Sequence, residues 1–127
     1  MKTFSLIAII FFFIGTANAN QDKWDTTDKM LSGTALALTM IDMGQTVSIA
    51  KDCRNNGAHY YETNNLLGKC PSVGRVREYF VSSILLSGVI ADMLPSKYRK
   101  DFLAASAAIE FKAAYHNFSA SVVWSWK

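Results

Sequence analysis

Asp42 and Glu110 are the residues of this 127-residue sequence whose type and setting best suit chemistry. Between Met30 and Ala50 the only ionisable side chain is Asp42, and helical spacing turns Glu110 toward the apolar side of its own segment. Two carboxylates held in one low-dielectric layer cannot both stay charged at low cost. At least one must rise in pKa, or the pair must share a proton, a cation or a basic partner. Such a pair can do general acid–base work or pass protons if the two values are pushed apart, with Glu62 and His116 as further members. The plainer reading of the same residues is a hydrogen-bonded polar layer of Asp42, Gln45, Thr46, Ser82, Glu110 and Asn117 that fixes how helices register.

Cys53 and Cys70 are the two cysteines, and in an exported chain an even pair closing one loop reads as a disulfide. Metal binding needs three or four ligands, and His59 is the one extra donor near them in sequence, so no metal or other cofactor is expected. The loop also carries Tyr61, Glu62 and Asn64, an aromatic, an acid and an amide suited to binding on a segment that a scaffold holds in place. Neither a nucleophile elbow, nor an H-E-x-x-H motif, nor a glycine-rich phosphate loop is present, so the balance tips away from an enzyme.

Three helices must position these groups. Apolar residues lack the alternation of strands, and their Ala, Leu and Met content at 3.6-residue spacing favours helix. The first helix is expected over Thr27–Lys51, behind the acidic, cap-forming run Asp25-Thr26-Thr27-Asp28 and stopped by Asn55-Asn56-Gly57. Leu31, Ala35, Leu38, Asp42, Gln45 and Ile49 form its inner stripe. The second starts after Pro71 with Ser72 as N-cap and ends near Leu94, because Pro95 bars its predecessor from helical geometry. The third follows with Ser96 as N-cap and runs to about Val123. It turns Leu103, Ala107, Glu110, Ala114 and Asn117 inward, with Phe111, Tyr115 and Phe118 filling the adjoining core sector. A rise of about 1.5 Å per residue puts Asp42, Ser82 or Ser83, and Glu110 at one height in an up-down-up bundle.

Half of the residues are hydrophobic, 18% are charged and the net charge is +3, which fits one helical domain and excludes disorder. The basic residues are scattered, so no nucleic-acid footprint is expected. Residues 1–19 read as a secretory signal: Lys2, an apolar run from Phe4 to Gly15, then the small-x-small site Ala17-Asn18-Ala19. Removing them leaves a single domain over 20–127, destined for the inner membrane or periplasm. The first helix has enough nearly uncharged length between Lys29 and Lys51 to span a bilayer. The basic residues Lys51, Arg54, Lys69, Arg75 and Arg77 around the loop would then place it in the cytoplasm, which sits badly with a disulfide. Trp24, Trp124 and Trp126 suit either a membrane-interface belt or packing at bundle ends.

The run Asp42-Met43-Gly44-Gln45-Thr46, then Tyr61-Glu62-Thr63-Asn64, Leu67-Gly68, Pro71-Ser72, Tyr79-Phe80, Leu94-Pro95 with Arg99, and Glu110 with Asn117, covers most of the chain after the signal. It resembles a family of small uncharacterised bacterial and phage envelope proteins with D-x-x-Q-T, E-x-N-P-x-x-G and L-P-x-x-x-R motifs. Asn65 stands where that pattern has proline. The resemblance implies no activity; it picks out the polar residues that helical geometry turns inward and adds Glu62 and Asn64 to the candidate residues. The expectation is an all-α, three-helix envelope protein with a disulfide-stapled loop. It would work without catalysis on a membrane or another envelope protein, the alternative being an enzyme or ion- and proton-handling protein built on Asp42 and Glu110.

Overall fold

The computed structural model describes residues 23–55, 61–120 and 122; the expected signal at residues 1–19, His59, Trp124 and Trp126 lie outside them. Among the described residues there are three helices and no strand: α1 (Thr26–Asn55), α2 (Val73–Met93) and α3 (Ser96–Ser119). The all-helical expectation holds.

Each terminus has a local cause. At the start of α1, Asp25 and Asp28 cap one another, the Asp28 amide donating to Asp25 Oδ1 (2.8 Å) and the Asp25 amide to Asp28 Oδ2 (3.1 Å). The helix runs one turn past Lys51, and that turn carries Cys53. Ser72 caps α2 as its position before Val73 suggests, its hydroxyl accepting from the Arg75 amide at 3.1 Å. At α3 the expectation is corrected. Pro95, extended at φ −54° and ψ 148°, holds the cap position, and its carbonyl accepts from Tyr98 and Arg99, so Ser96 is already helical. That helix also stops at Ser119 rather than near Val123: the Ala120 amide makes the last helical bond, to His116, and the Val122 amide reaches back five residues to the Asn117 carbonyl instead of four.

A small core joins α1, α2 and the loop: Val47, Ala50, Leu67, Val76 and Phe80, with Met43, Val73 and Tyr79 against it. Cys53 and Cys70 form a disulfide, their Cα atoms 5.7 Å apart, which ties the end of α1 to the residues before α2. α3 packs mainly on α1 and only sparsely on α2. A gap of about 260 Å³ remains between them, lined by small side chains such as Ser83, Ser87, Gly88 and Ser106.

A buried ion pair lies near the start of α1. Arg99 NH1 is 3.1 Å from Asp28 Oδ2, and both side chains are fully buried. The guanidinium also donates to the carbonyls of Ala91 and Leu94 at 2.9 Å each, and it lies over the Trp24 ring. A buried arginine demands such saturation, since each unpaired donor would carry its full desolvation penalty.

Two expectations about burial fail. Phe111, Tyr115 and Phe118 are not core: they are 59%, 64% and 76% exposed, because among the described residues no element covers that side of α3. Phe111 and Tyr115 instead stack on each other, with ring centroids 6.1 Å apart. Nor does α1 suit a bilayer, since among the described residues no helix is long and apolar enough to cross one. Its serines, threonines, glycines and Gln45 lower the hydropathy that an absence of charge alone had suggested.

Candidate functional site

The polar side chains turned inward by α1 and α3 meet beneath the loop. Asn117 Nδ2 donates to Asp42 Oδ1 at 2.8 Å, joining α3 to α1. One turn along α1, Gln45 is buried and donates to the Ala114 carbonyl at 3.3 Å, while Thr46 is buried beside it. Asp42, Thr46, Glu62, Asn64, Glu110 and Asn117 line a cavity of about 220 Å³, walled by Tyr79 and Phe80 and edged by His116.

The loop reaches this place by a chain of local bonds. The Asn64 amide donates to Glu62 Oε1 (2.8 Å), and the Leu66 amide donates to Asn64 Oδ1 (2.9 Å). The amides of Leu67 and Gly68 both donate to the Asn64 carbonyl, Gly68 taking φ +79°. That positive φ suits glycine, which lacks the Cβ that makes the conformation costly. The turn drives Leu67 into the core and leaves Glu62 and Asn64 facing the cavity.

Burial raises the Asp42 carboxyl to about 7, and the negative charges of Glu110 and Glu62 add to the rise, against the stabilising bond from Asn117. Burial also raises Glu110 above the ordinary carboxylate range. One oxygen of Glu110 is enclosed without a hydrogen-bond partner, as is the Gln45 carbonyl oxygen. The cause is that expected of carboxylates in a low-dielectric layer: the charged form loses water and gains a like-charged neighbour. Asp42 therefore exchanges its proton near neutral pH, where a proton donor or acceptor is effective.

Of the expected layer, Asp42, Thr46, Glu110 and Asn117 share the cavity, and Gln45 is buried next to it. Ser82 does not join. It is exposed, and Ser83 is the serine that lines the inter-helix gap together with Glu110. One residue on a helix turns a side chain by about 100°, so a boundary displaced by one position exchanges the two. Glu62 and Asn64 sit in the cavity, whereas Tyr61 is exposed on the outer side of the loop. Tyr79, Phe80 and Ile109 also line the cavity; of these, Tyr79 and Phe80 belong to the motif resemblance, and nothing in the sequence singled out Ile109. The Asp28–Arg99 pair was also missed; an arginine in the first turn of α3, where the helix dipole disfavours a cation, was the signal that it needed an acid.

Among the described residues no group of three or more His, Cys, Asp or Glu side chains is arranged to hold a metal ion. No protein-family model matches the chain, and no curated protein or solved structure is significantly similar to it.

Proposed function

We propose that this is a small exported protein of the cell envelope, an up-down-up bundle that acts without catalysis by contacting a membrane or another envelope component through the outer face of α2. One observation carries the reading: Val81, Leu85, Leu86, Ile90 and Met93 are all substantially exposed on a single helix. The one charged side chain among positions 81–93 is Asp92, which accepts a bond from Trp24. Contiguous exposed apolar side chains of this kind mark an interaction surface. Export is supported by the signal-like residues 1–19 and by the motif resemblance. The topology is supported by the short Pro95 connection and by α1–α3 contacts at two levels, Asp28 to Arg99 and Asp42 to Asn117.

The test is cell fractionation of the full chain combined with thiol labelling. The protein should sit in the envelope fraction with Cys53 and Cys70 oxidised. An added Leu86→Cys thiol should react more slowly with a water-soluble reagent in cells than in the purified protein. A cytoplasmic protein with free thiols, or a Leu86→Cys thiol equally reactive in both settings, overturns the reading.

A second reading is favoured by Asp42, whose carboxyl is raised to about 7 beside Glu110 and Glu62 in one cavity. In this reading the protein passes or senses protons, or catalyses a reaction, through that cluster. Carboxyl titration by NMR tests it: an Asp42 midpoint in the ordinary aspartate range removes its basis.

A further inference from the structure

The end of the molecule that carries the disulfide has a second exposed feature, separate from the outer face of α2. The turn at Asn64–Gly68 buries Leu67 and presents Leu66 outward, 69% exposed. This tip is rigidly built. The Leu66 amide is held by Asn64 Oδ1 at 2.9 Å and its carbonyl by Arg75 Nη2 at 2.8 Å, and Cys70 is tied to Cys53 a few residues away. An apolar side chain displayed on a turn whose backbone is already fixed costs little further ordering entropy on binding.

Cations cluster at this end of the chain's fold, Arg75 in contact with the Leu66 carbonyl and others on the adjoining helix ends. Lys69 follows the turn, Arg54 neighbours Cys53, and Arg75 and Arg77 lie in the opening turns of α2, all four exposed, with Lys51 half-buried one turn before Arg54. The acids at this end are Asp52 and Glu78, since Glu62 is turned into the cavity. Helix stability does not explain the arginines. The first turn of α2 contains no acidic residue, and a cation at a helix N-terminus opposes the helix dipole. Tyr61, 58% exposed, adds an amphipathic ring of the type that settles at the level of lipid headgroups.

We infer that this end docks on an anionic lipid bilayer, Leu66 entering the acyl boundary while Arg54, Lys69, Arg75 and Arg77 meet the headgroups. A small anion would satisfy the cations and leave Leu66 in water. The spread of positive charge over two helix ends and a turn matches an extended negative surface better than a closed pocket. The inference deepens the envelope reading by naming the partner's chemistry, and it uses a different surface, so the two can fail separately.

The experiment is sedimentation of the full, oxidised chain with vesicles of phosphatidylcholine, with and without phosphatidylglycerol, over a series of salt concentrations. Binding should require phosphatidylglycerol and weaken as salt rises. Arg77→Gln and Lys69→Gln should each weaken it about fivefold, the contribution of one cation near an anionic surface. Leu66→Ser should also weaken it while leaving the salt dependence intact. These positions are exposed, so circular dichroism should show unchanged helix content in all three variants. Equal binding to both kinds of vesicle, or loss with Leu86→Ser but not with Leu66→Ser, overturns the inference and leaves the envelope reading standing. Tight binding to heparin with Leu66→Ser silent on vesicles identifies a polyanion instead and also overturns it. A cytoplasmic location in the fractionation experiment removes the envelope reading even where vesicle binding persists.

Discussion

Asn117 Nδ2 donates to Asp42 Oδ1 at 2.8 Å, so the one ionisable side chain in the middle of α1 is held by an uncharged amide from α3 rather than by a cation. An amide bond lowers the cost of the buried negative charge without cancelling it. The cavity keeps the remainder as a raised carboxyl pKa, with Glu110 and Glu62 working in the same direction.

The first prediction concerns stability against pH. The folded protein holds the Asp42 proton up to about 7, whereas an unfolded aspartate releases it near 3.8. Protonated Asp42 therefore favours the folded state fully below about pH 4, and this contribution is lost as pH rises through about 7. The span corresponds to up to about 4 kcal/mol. Asp42→Asn keeps an acceptor for Asn117 and removes the charge. It should raise the urea midpoint at neutral pH, change little at pH 4, and flatten the profile between them. A variant whose stability follows the same profile as the unaltered protein would show that Asp42 is not the titrating group.

The buried pair at the opposite end should be far less tolerant. Asp28→Ala removes the acid paired with the fully buried Arg99, and breaking such a pair costs about 3–5 kcal/mol. Replacing both partners, as Asp28→Leu with Arg99→Met, should recover part of the loss because no buried charge remains. Chemical denaturation of the single and double variants measures this, and a single variant within about 1 kcal/mol of the parent refutes it.

Reduction of the disulfide should act on the loop before it acts on the helices. Cys53 and Cys70 are 17 positions apart, and a crosslink of that size contributes about 3 kcal/mol by limiting the unfolded chain. Cys53→Ala with Cys70→Ala should lower stability by about that amount. Amide exchange should quicken most at Leu66, Leu67 and Gly68, whose bonds converge on Asn64.

How much of this was legible follows from the range of the signals. Pro71-Ser72 and Pro95 are local, so the limits of α2 could be read to within a residue. Helical periodicity brought Asp42, Gln45, Glu110 and Asn117 to one side of their helices, because 3.6-residue spacing specifies a face. Periodicity does not say how many neighbours exist to cover the other faces, which is why Phe111, Tyr115 and Phe118 looked like core and are exposed. The exchange of Ser82 for Ser83 came from counting heights from the end of α1, which lies one turn beyond the expected Lys51. Asp28 was hidden by its second role as a cap, and its pairing with Arg99 joins positions 71 apart, beyond any local pattern. Glu62 and Asn64 were legible as loop binding candidates by residue type, but not as neighbours of Asp42, since only the folded turn brings them there.

Two of the glycines with open space beside them, Gly33 and Gly68, should respond to the same substitution with opposite signs. No heavy atom lies within 4 Å of a Cβ built at Gly33 or at Gly68, so neither change meets a steric clash. Gly33 lies in the interior of α1, and Gly33→Ala should stabilise by about 0.5–1 kcal/mol by restricting the unfolded chain and restoring helix propensity. Gly68 has φ +79°, and Gly68→Ala should destabilise by about 1–2 kcal/mol, the cost of a left-handed conformation for a residue with a Cβ. Because Gly68 closes the turn that seats Leu67, its loss should also loosen Glu62 and Asn64 and lower the Asp42 midpoint as water enters the cavity. Gly33→Ala should leave that midpoint where it was. Thermal denaturation reads the two signs, and carboxyl NMR reads the midpoint; a shift at Asp42 in both variants, or in neither, would break the link drawn here between the turn and the cavity.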